Sequence, residues 1–272
     1  MNLDNKFLDQ NNIEIANEFL ERGYIINEIK DIESLKFISN LFIFELNNVI
    51  KTSEKPSQKL LNSLHEYIEI ENLNNIRIDL LNRLNKNQDF KLAYFNIARD
   101  ALSVIVGNEL VMQKNINLSI QFPNDSSSLL ETHADTWSGD SPYEVVVWFP
   151  LVDCYKTKSM YLLSPEKSKE LNENFSDYAG NTSDQLFEAI SKDVEFIKIN
   201  YGQFMIFNQS LPHGNRVNLE SETRISMNCR FKSLFSPYND KKLGEFFIPI
   251  TIKPATVNGL NYSLPGDFSE ET

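Results

Sequence analysis

The sequence is poor in cysteine, in histidine, in positive charge and in long apolar runs, and each shortage excludes something. Only two of 272 residues are cysteine, Cys154 and Cys229. Two thiols form no disulfide framework, so a reducing, cytoplasmic setting is expected. Lysine and arginine number 26 against 38 acidic residues, a net charge of −12. Such a surface repels phosphate backbones and anionic membrane surfaces, so neither nucleic acid nor membrane is an expected partner. The longest apolar run, Val145 to Val152, falls far short of the roughly 20 residues that span a bilayer. The opening residues Met1 to Asn5 carry no basic region and no apolar stretch, so no signal peptide is expected. No internal repeat or low-complexity linker divides the chain, so a single domain over 1–272 is expected. Its oligomeric state is left open.

What is present is 41% apolar and 11% aromatic, enough for a sizeable core. Residues 1–107 read as mainly helical. From Asp9 to Arg22, apolar residues recur near helical spacing and Gly23 supplies a stop. Tyr24–Ile26 reads as a short strand. Asp31 can cap a helix carrying Ile32, Leu35, Ile38, Leu41 and Phe42. Pro56 breaks the pattern. Further helices are expected over about 57–83, with an interruption, and 87–106.

From Glu109 the period changes from 3.6 to 2. The apolar residues Val111 to Ile120 lead into Phe122-Pro123. Strands are then expected over 129–133, 143–152, 159–163, 195–200, 203–208, 213–217 and 223–234, about eight in all, separated by turn residues. Helices followed by strands predict an α+β protein with a β-barrel or sandwich core over 108–235. Residues 164–193 interrupt that rhythm as a polar, partly helical insertion, either a lid or a surface excursion. Residues 236–272 form a C-terminal extension with a frayed end.

The chemistry concentrates in few places. Glu131-Thr132-His133-Ala134-Asp135-Thr136-Trp137 contains His-x-Asp. On an extended strand such residues share a face, so His133 and Asp135 can aim at one ion. Two of only three histidines in the chain are His133 and His213; two histidines and one carboxylate are the ligand set of non-haem Fe(II) oxygenases. Arg224-Ile225-Ser226 follows on a strand. Arg224 can hold a carboxylate through two charge-assisted hydrogen bonds and Ser226 can add a third, which suits a small diacid. Asn228 and Arg230 share that parity and should face the interior, where Arg230 needs an anion, from substrate or from the protein. Gln121 and Trp148 lie on core strands and either touch the diacid or pack. Trp137 and Tyr143 flank the metal strand and are candidates for the substrate mouth. Arg216 and Arg230 could accept a substrate phosphate or carboxylate. Asn208 and Asn215 bracket His213 and could orient it. His65 reads as an ordinary surface or core histidine. The ligand set alone also allows a cupin-like protein that isomerises or binds a sugar without oxygen, or a non-enzymatic module.

The order His133-x-Asp135, Trp148 to Asp153, Leu163 to Ser168, Gly202-Gln203, His213-Gly214 and Arg224-x-Ser226 resembles the Fe(II)/2-oxoglutarate-dependent oxygenases. Within them it is most similar to the phytanoyl-CoA-hydroxylase-like branch and to oxygenases of bacterial carbohydrate and aminoglycoside biosynthesis. The resemblance covers about 110–235. It departs at Ser164-Pro165-Glu166-Lys167-Ser168, where that branch usually has Pro-Gly-Ser-His. The resemblance implies a double-stranded β-helix of jelly-roll or cupin type. It implies Fe(II) on His133, Asp135 and His213, and 2-oxoglutarate on Arg224 with Ser226 assisting. It further implies O2 as oxidant and a small-molecule substrate, a carbohydrate or nucleotide-linked sugar. Because Asp135 is present, no ligand position is missing for a halide, and hydroxylation is implied rather than halogenation.

Overall fold

A computed structural model describes residues 9–51 and 57–265. The N-terminal tip, the break at Pro56 and the final residues 266–272 lie outside the described residues. The first half is helical: α1 (Gln10–Arg22), then strand β1 (Tyr24–Glu28), α2 (Ile32–Ile50), α3 (Gln58–Asn62), α4 (Ile70–Lys86) and α5 (Gln88–Ile105). The cap expected at Asp31 forms, and Asp9 caps α1 as well. The Asp9 side chain accepts a hydrogen bond from the Asn12 amide, and Asp31 accepts from Ser34, satisfying amide groups that the first turn leaves unpaired. Gly23 ends α1 at φ 76°. A side chain there is disfavoured by the left-handed backbone, and it would also displace the end of the Leu211 side chain.

The strands that follow are β2 (Leu110–Gln113), β3 (Asn117–Gln121), β4 (Val145–Pro150), β5 (Met160–Leu163), β6 (Val194–Phe196), β7 (Gln203–Asn208), β8 (His213–Asn215), β9 (Arg224–Ser233) and β10 (Phe247–Pro249). Every pairing between them is antiparallel. The large sheet runs β1-β7-β4-β9-β2-β10, with β3 also paired to β9; the small sheet runs β6-β5-β8.

The alternation along β9 divides its environment. Ile225, Met227, Cys229 and Phe231 are fully buried and join one apolar cluster with Ile38, Phe42, Tyr94 and Leu102 of the helices. The Tyr94 hydroxyl donates to the Val147 and Met227 carbonyls, pinning α5 to β4 and β9. Burying such side chains contributes about 1.5–3 kcal/mol each. The opposite row, Arg224, Ser226, Asn228 and Arg230, faces a cavity. The sheet is thus held from one side and equipped on the other.

The insertion folds as α6 (Pro165–Glu173) and α7 (Ser183–Ile190), close to expectation, around a small cluster of Leu163, Leu171, Leu186 and Ile190. Two expectations need correction. Residues 129–133 form no strand; only His133 makes a single bridge, to His213. The Asn215 side chain accepts from the Leu130 amide, replacing the ladder that a strand would supply. The C-terminal extension also carries unpredicted elements, β10 on β2 and α8 (Pro254–Leu260). No helix of the described residues is long and apolar enough to cross a membrane.

Candidate metal and diacid site

A cavity of about 330 Å³ lies between the two sheets. The large sheet contributes Ser119, Trp148, Arg224 and Ser226, and the small one contributes Met160 and His213. His133, Asp135 and His213 bring one ligand atom each to within 4.8 Å of one another.

The backbone creates this convergence. The His133 amide donates to the His213 carbonyl at 3.0 Å and the His213 amide returns the bond at 2.8 Å. This is the hydrogen-bonded antiparallel pair, whose side chains stand beside each other, and the ring centroids are 4.3 Å apart. Asp135 reaches the site differently from the strand parity expected. It opens a 3-10 turn, Asp135–Ser138, and its amide is held by the Gln209 carbonyl at 3.0 Å. Gly214 permits the close approach. A Cβ there would lie 2.6 Å from Tyr161 Oη, 2.8 Å from the Leu130 carbonyl and 3.0 Å from that of Glu131.

Both imidazoles are oriented through Nδ1. His133 Nδ1 lies 2.7 Å from the Glu131 carbonyl and His213 Nδ1 lies 2.8 Å from the Leu211 carbonyl. A carbonyl can only accept, so each Nδ1 carries a proton; the neutral His213 ring presents a bare Nε2 lone pair, whereas for His133 burial is outweighed by the hydrogen bonds to Asp135 and the Glu131 carbonyl, which raise its pKa. Asn208 and Asn215, expected to do this orienting, instead bind backbone amides of Ser210 and Leu130. Burial, with His133 beside it, lowers the His213 pKa to about 4, which keeps that ring neutral. Burial opposes ionisation of Asp135, but the His133 hydrogen bond and the Arg230 charge prevail and hold its pKa well below the usual carboxylate range. His133 Nε2 and Asp135 Oδ1 face each other at 3.4 Å. Two acceptors so placed require a cation between them, a proton or a metal, so the donor set fits a divalent ion.

Arg224 is the second half of the site. The residue is 4% exposed, and its side chain donates from Nη2 to Ser119 Oγ at 2.9 Å. Its Nε and the Ser226 hydroxyl are buried with no partner. No carboxylate pairs with Arg224 among the described residues. Burial lowers its pKa, the signature of a cation without its counter-ion.

The remaining expected residues divide. Trp148 lines the cavity. Gln121 sits opposite Arg224 in register, but its amide donates to the Arg216 carbonyl and it lines no part of the cavity. Trp137 stacks on Phe175 of the insertion at 4.9 Å and is 38% exposed. Tyr143 lies elsewhere, in a surface depression with Phe19 and Ser236. Arg216 points away from the cavity into an ion pair with Asp184 of α7 and stacks over Phe187. Arg230 lines the cavity but already binds Asp135 and Asp140. His65 bonds Thr223, an ordinary core role. Ser119, Asn117, Gln209 and Asp140 carried no motif. Only Asn117 and Ser119 left a trace in the sequence, as the same-parity partners of Gln121.

No family model and no curated protein matches the chain. Among solved structures it is similar to a non-heme monooxygenase, the ThoJ–Ni complex, at TM-score 0.51 and 14% identity over 87% of this chain and 84% of that one. It is similar to EctD from S. alaskensis with bound Fe, at TM-score 0.54 and 12% identity over 88% and 81%. A weaker match, TM-score 0.48 and 13% identity over 96% and 92%, is the non-heme alpha ketoglutarate dependent epimerase SnoN from nogalamycin biosynthesis. At such identities the likeness is one of fold. It is in keeping with the mixed helix and antiparallel-sheet fold expected, and it does not single out the phytanoyl-CoA-hydroxylase-like branch.

Proposed function

We propose that this protein is a non-haem Fe(II)/2-oxoglutarate-dependent oxygenase that hydroxylates a small molecule, on a single domain whose two sheets form a double-stranded β-helix. The observation that carries this is the buried, unpaired Arg224–Ser226 pair opening into the same cavity as the His133–Asp135–His213 ligand atoms. A metal site alone needs no buried cation nearby. A site for a metal-chelating diacid does, because its far carboxylate must be neutralised. A cupin-like isomerase or binding module for a neutral sugar has no use for it.

In this reading His133 and His213 hold Fe(II) through Nε2 and Asp135 through a carboxylate oxygen. Arg224 and Ser226 receive the distal carboxylate of 2-oxoglutarate, with Ser119 fixing the guanidinium. The bound iron, with O2 and 2-oxoglutarate, supplies the oxidising power for hydroxylation and leaves succinate and carbon dioxide. The chain's own residues orient and exclude water. Trp148 and Met160 provide apolar walls, and Phe207 packs its ring edge on His213 at 5.1 Å. His133 remains partly exposed and Leu130 is exposed at the cavity wall, which marks the side where substrate enters.

The substrate class we propose is a carbohydrate. Asn117, Asn215 and Asn228 make the cavity wall neutral and polar; Asn117 and Asn215 are bonded to protein through both amide atoms, which leaves the Asn228 amide nitrogen for a substrate hydroxyl. Neither Arg216 nor Arg230 offers a free cation to the phosphates of a nucleotide-linked sugar, since both are engaged by carboxylates. The test is O2-dependent conversion of 2-oxoglutarate to succinate by Fe(II)-loaded protein, with and without candidate sugars. Succinate formation that is lost in His213→Ala supports the proposal; none under any condition refutes it.

A further inference from the structure

We infer that Arg230 is a positioning residue that holds Asp135 as a one-oxygen metal ligand, an inference that rests on the metal site proposed above. The carboxylate has two oxygens with different neighbours. Asp135 Oδ1 faces His133 Nε2 at 3.4 Å. Asp135 Oδ2 is turned away and held by Arg230 Nη2 at 2.9 Å. With that oxygen occupied, only Oδ1 remains for an ion.

Arg230 is itself fixed. Its Nε donates to Gln209 Oε1 at 2.9 Å, and Nη2 also lies 3.4 Å from Asp140 Oδ2. Gln209 is fully buried; its amide nitrogen donates to Glu144 at 3.0 Å and to the Ser141 carbonyl at 3.2 Å. The Gln209 carbonyl also accepts the Asp135 amide. One residue therefore references both the backbone of Asp135 and the side chain that holds its carboxylate. Asp140 takes a second cation, Lys241, which ties the C-terminal extension to the metal turn. The sequence left open whether Arg230 meets a substrate anion or a protein carboxylate; two of its three guanidinium nitrogens bind protein oxygens.

The consequence is a coordination count. A one-oxygen aspartate beside two histidines fills three positions and leaves the rest for a chelating co-substrate and oxygen. Without Arg230, Oδ2 is free to swing onto the ion and take a further position. Groups that orient metal ligands typically change metal affinity by about 10–100-fold when removed.

The test is an anaerobic Co(II) titration of the full chain, followed by visible absorption and by competition with a chelator. Arg230→Met should bind Co(II) about 10–100-fold more weakly than the parent, and the cobalt-saturated spectrum should shift as carboxylate coordination changes. Arg230→Lys, which keeps a charge for Oδ2, should recover much of the affinity. Arg230→Gln, which keeps a donor and serves if the Met variant does not fold, should show the same loss in smaller measure. Unchanged affinity in a folded Met or Gln variant overturns the inference, as does weaker binding with an unaltered saturated spectrum. A parent that binds Co(II) in a His213-dependent way while the variants match it leaves the metal site standing and removes only the role of Arg230. A parent that binds no Co(II) removes both.

Discussion

Replacing Arg224 with Met separates a ligand-binding arginine from a structural one, because the two roles predict opposite signs. Arg224 is 4% exposed, with one neutral hydrogen bond to Ser119 and no carboxylate partner among the described residues. A buried cation in that condition costs stability, and an apolar residue of similar volume is neutral or stabilising. Ligand-free Arg224→Met should therefore melt at or above the parent temperature, by about 2–4 °C for each kcal/mol gained. Binding should move the other way. Removing one partner of a buried charge pair costs about 2–5 kcal/mol, which is a loss of roughly 30- to 5,000-fold in 2-oxoglutarate affinity at about 1.4 kcal/mol per tenfold. The assay is anaerobic thermal unfolding of the Fe(II)-loaded protein with and without 2-oxoglutarate. At about 1,000 times Kd the parent gains about 4 kcal/mol, a shift of roughly 8 °C or more, and at the same ligand concentration the variant should gain at most about 2 kcal/mol, half the parent shift or less. An Arg224→Met variant that is several kcal/mol less stable without ligand, yet still stabilised by 2-oxoglutarate, refutes the assignment.

Three further outcomes follow. Ser226→Ala should leave unfolding unchanged, since its hydroxyl has no partner, and should weaken 2-oxoglutarate binding by about 1 kcal/mol, roughly fivefold, in calorimetry. Gly214→Ala should push a methyl against the Leu130 and Glu131 carbonyls; because the latter orients His133, metal affinity should fall with a stability loss of about 1–3 kcal/mol, read by metal titration and melting. The His213 pKa is about 4 in the fold against about 6.5 in an unfolded chain, so the unfolded state binds more protons between those values. The metal-free parent should therefore lose stability relative to His213→Gln as pH falls from about 6.5 to 4, and should hold its margin above that window; a pH series of melts reads the difference.

Most of the architecture was legible because periodicity and caps are local. Asp9, Gly23 and Asp31 marked helix ends that the structure keeps, and the parity of β9 correctly put Arg224, Ser226, Asn228 and Arg230 on one face. The failures have a common cause in contacts distant along the chain. Residues 129–133 alternate like a strand, yet they make one bridge, at His213, and Leu130 donates its amide to the Asn215 side chain while its carbonyl accepts from the Asn215 amide. Asp135 joins His133 through a 3-10 turn anchored by Gln209, which His-x-Asp spacing does not reveal. Arg216 and Arg230 were legible as interior or near-pocket cations, but their partners Asp184, Asp140 and Asp135 are set by how the insertion and the metal turn fold back. Tyr143 follows the metal turn in sequence and faces another depression.

Anaerobic visible spectroscopy shows whether one cavity holds both Fe(II) and 2-oxoglutarate. Adding 2-oxoglutarate to the Fe(II)-loaded protein should produce a weak metal-to-ligand absorption band that is absent in His213→Ala and strongly weakened in Arg224→Met. A parent that binds Fe(II) but gives no band at any 2-oxoglutarate concentration contradicts the account.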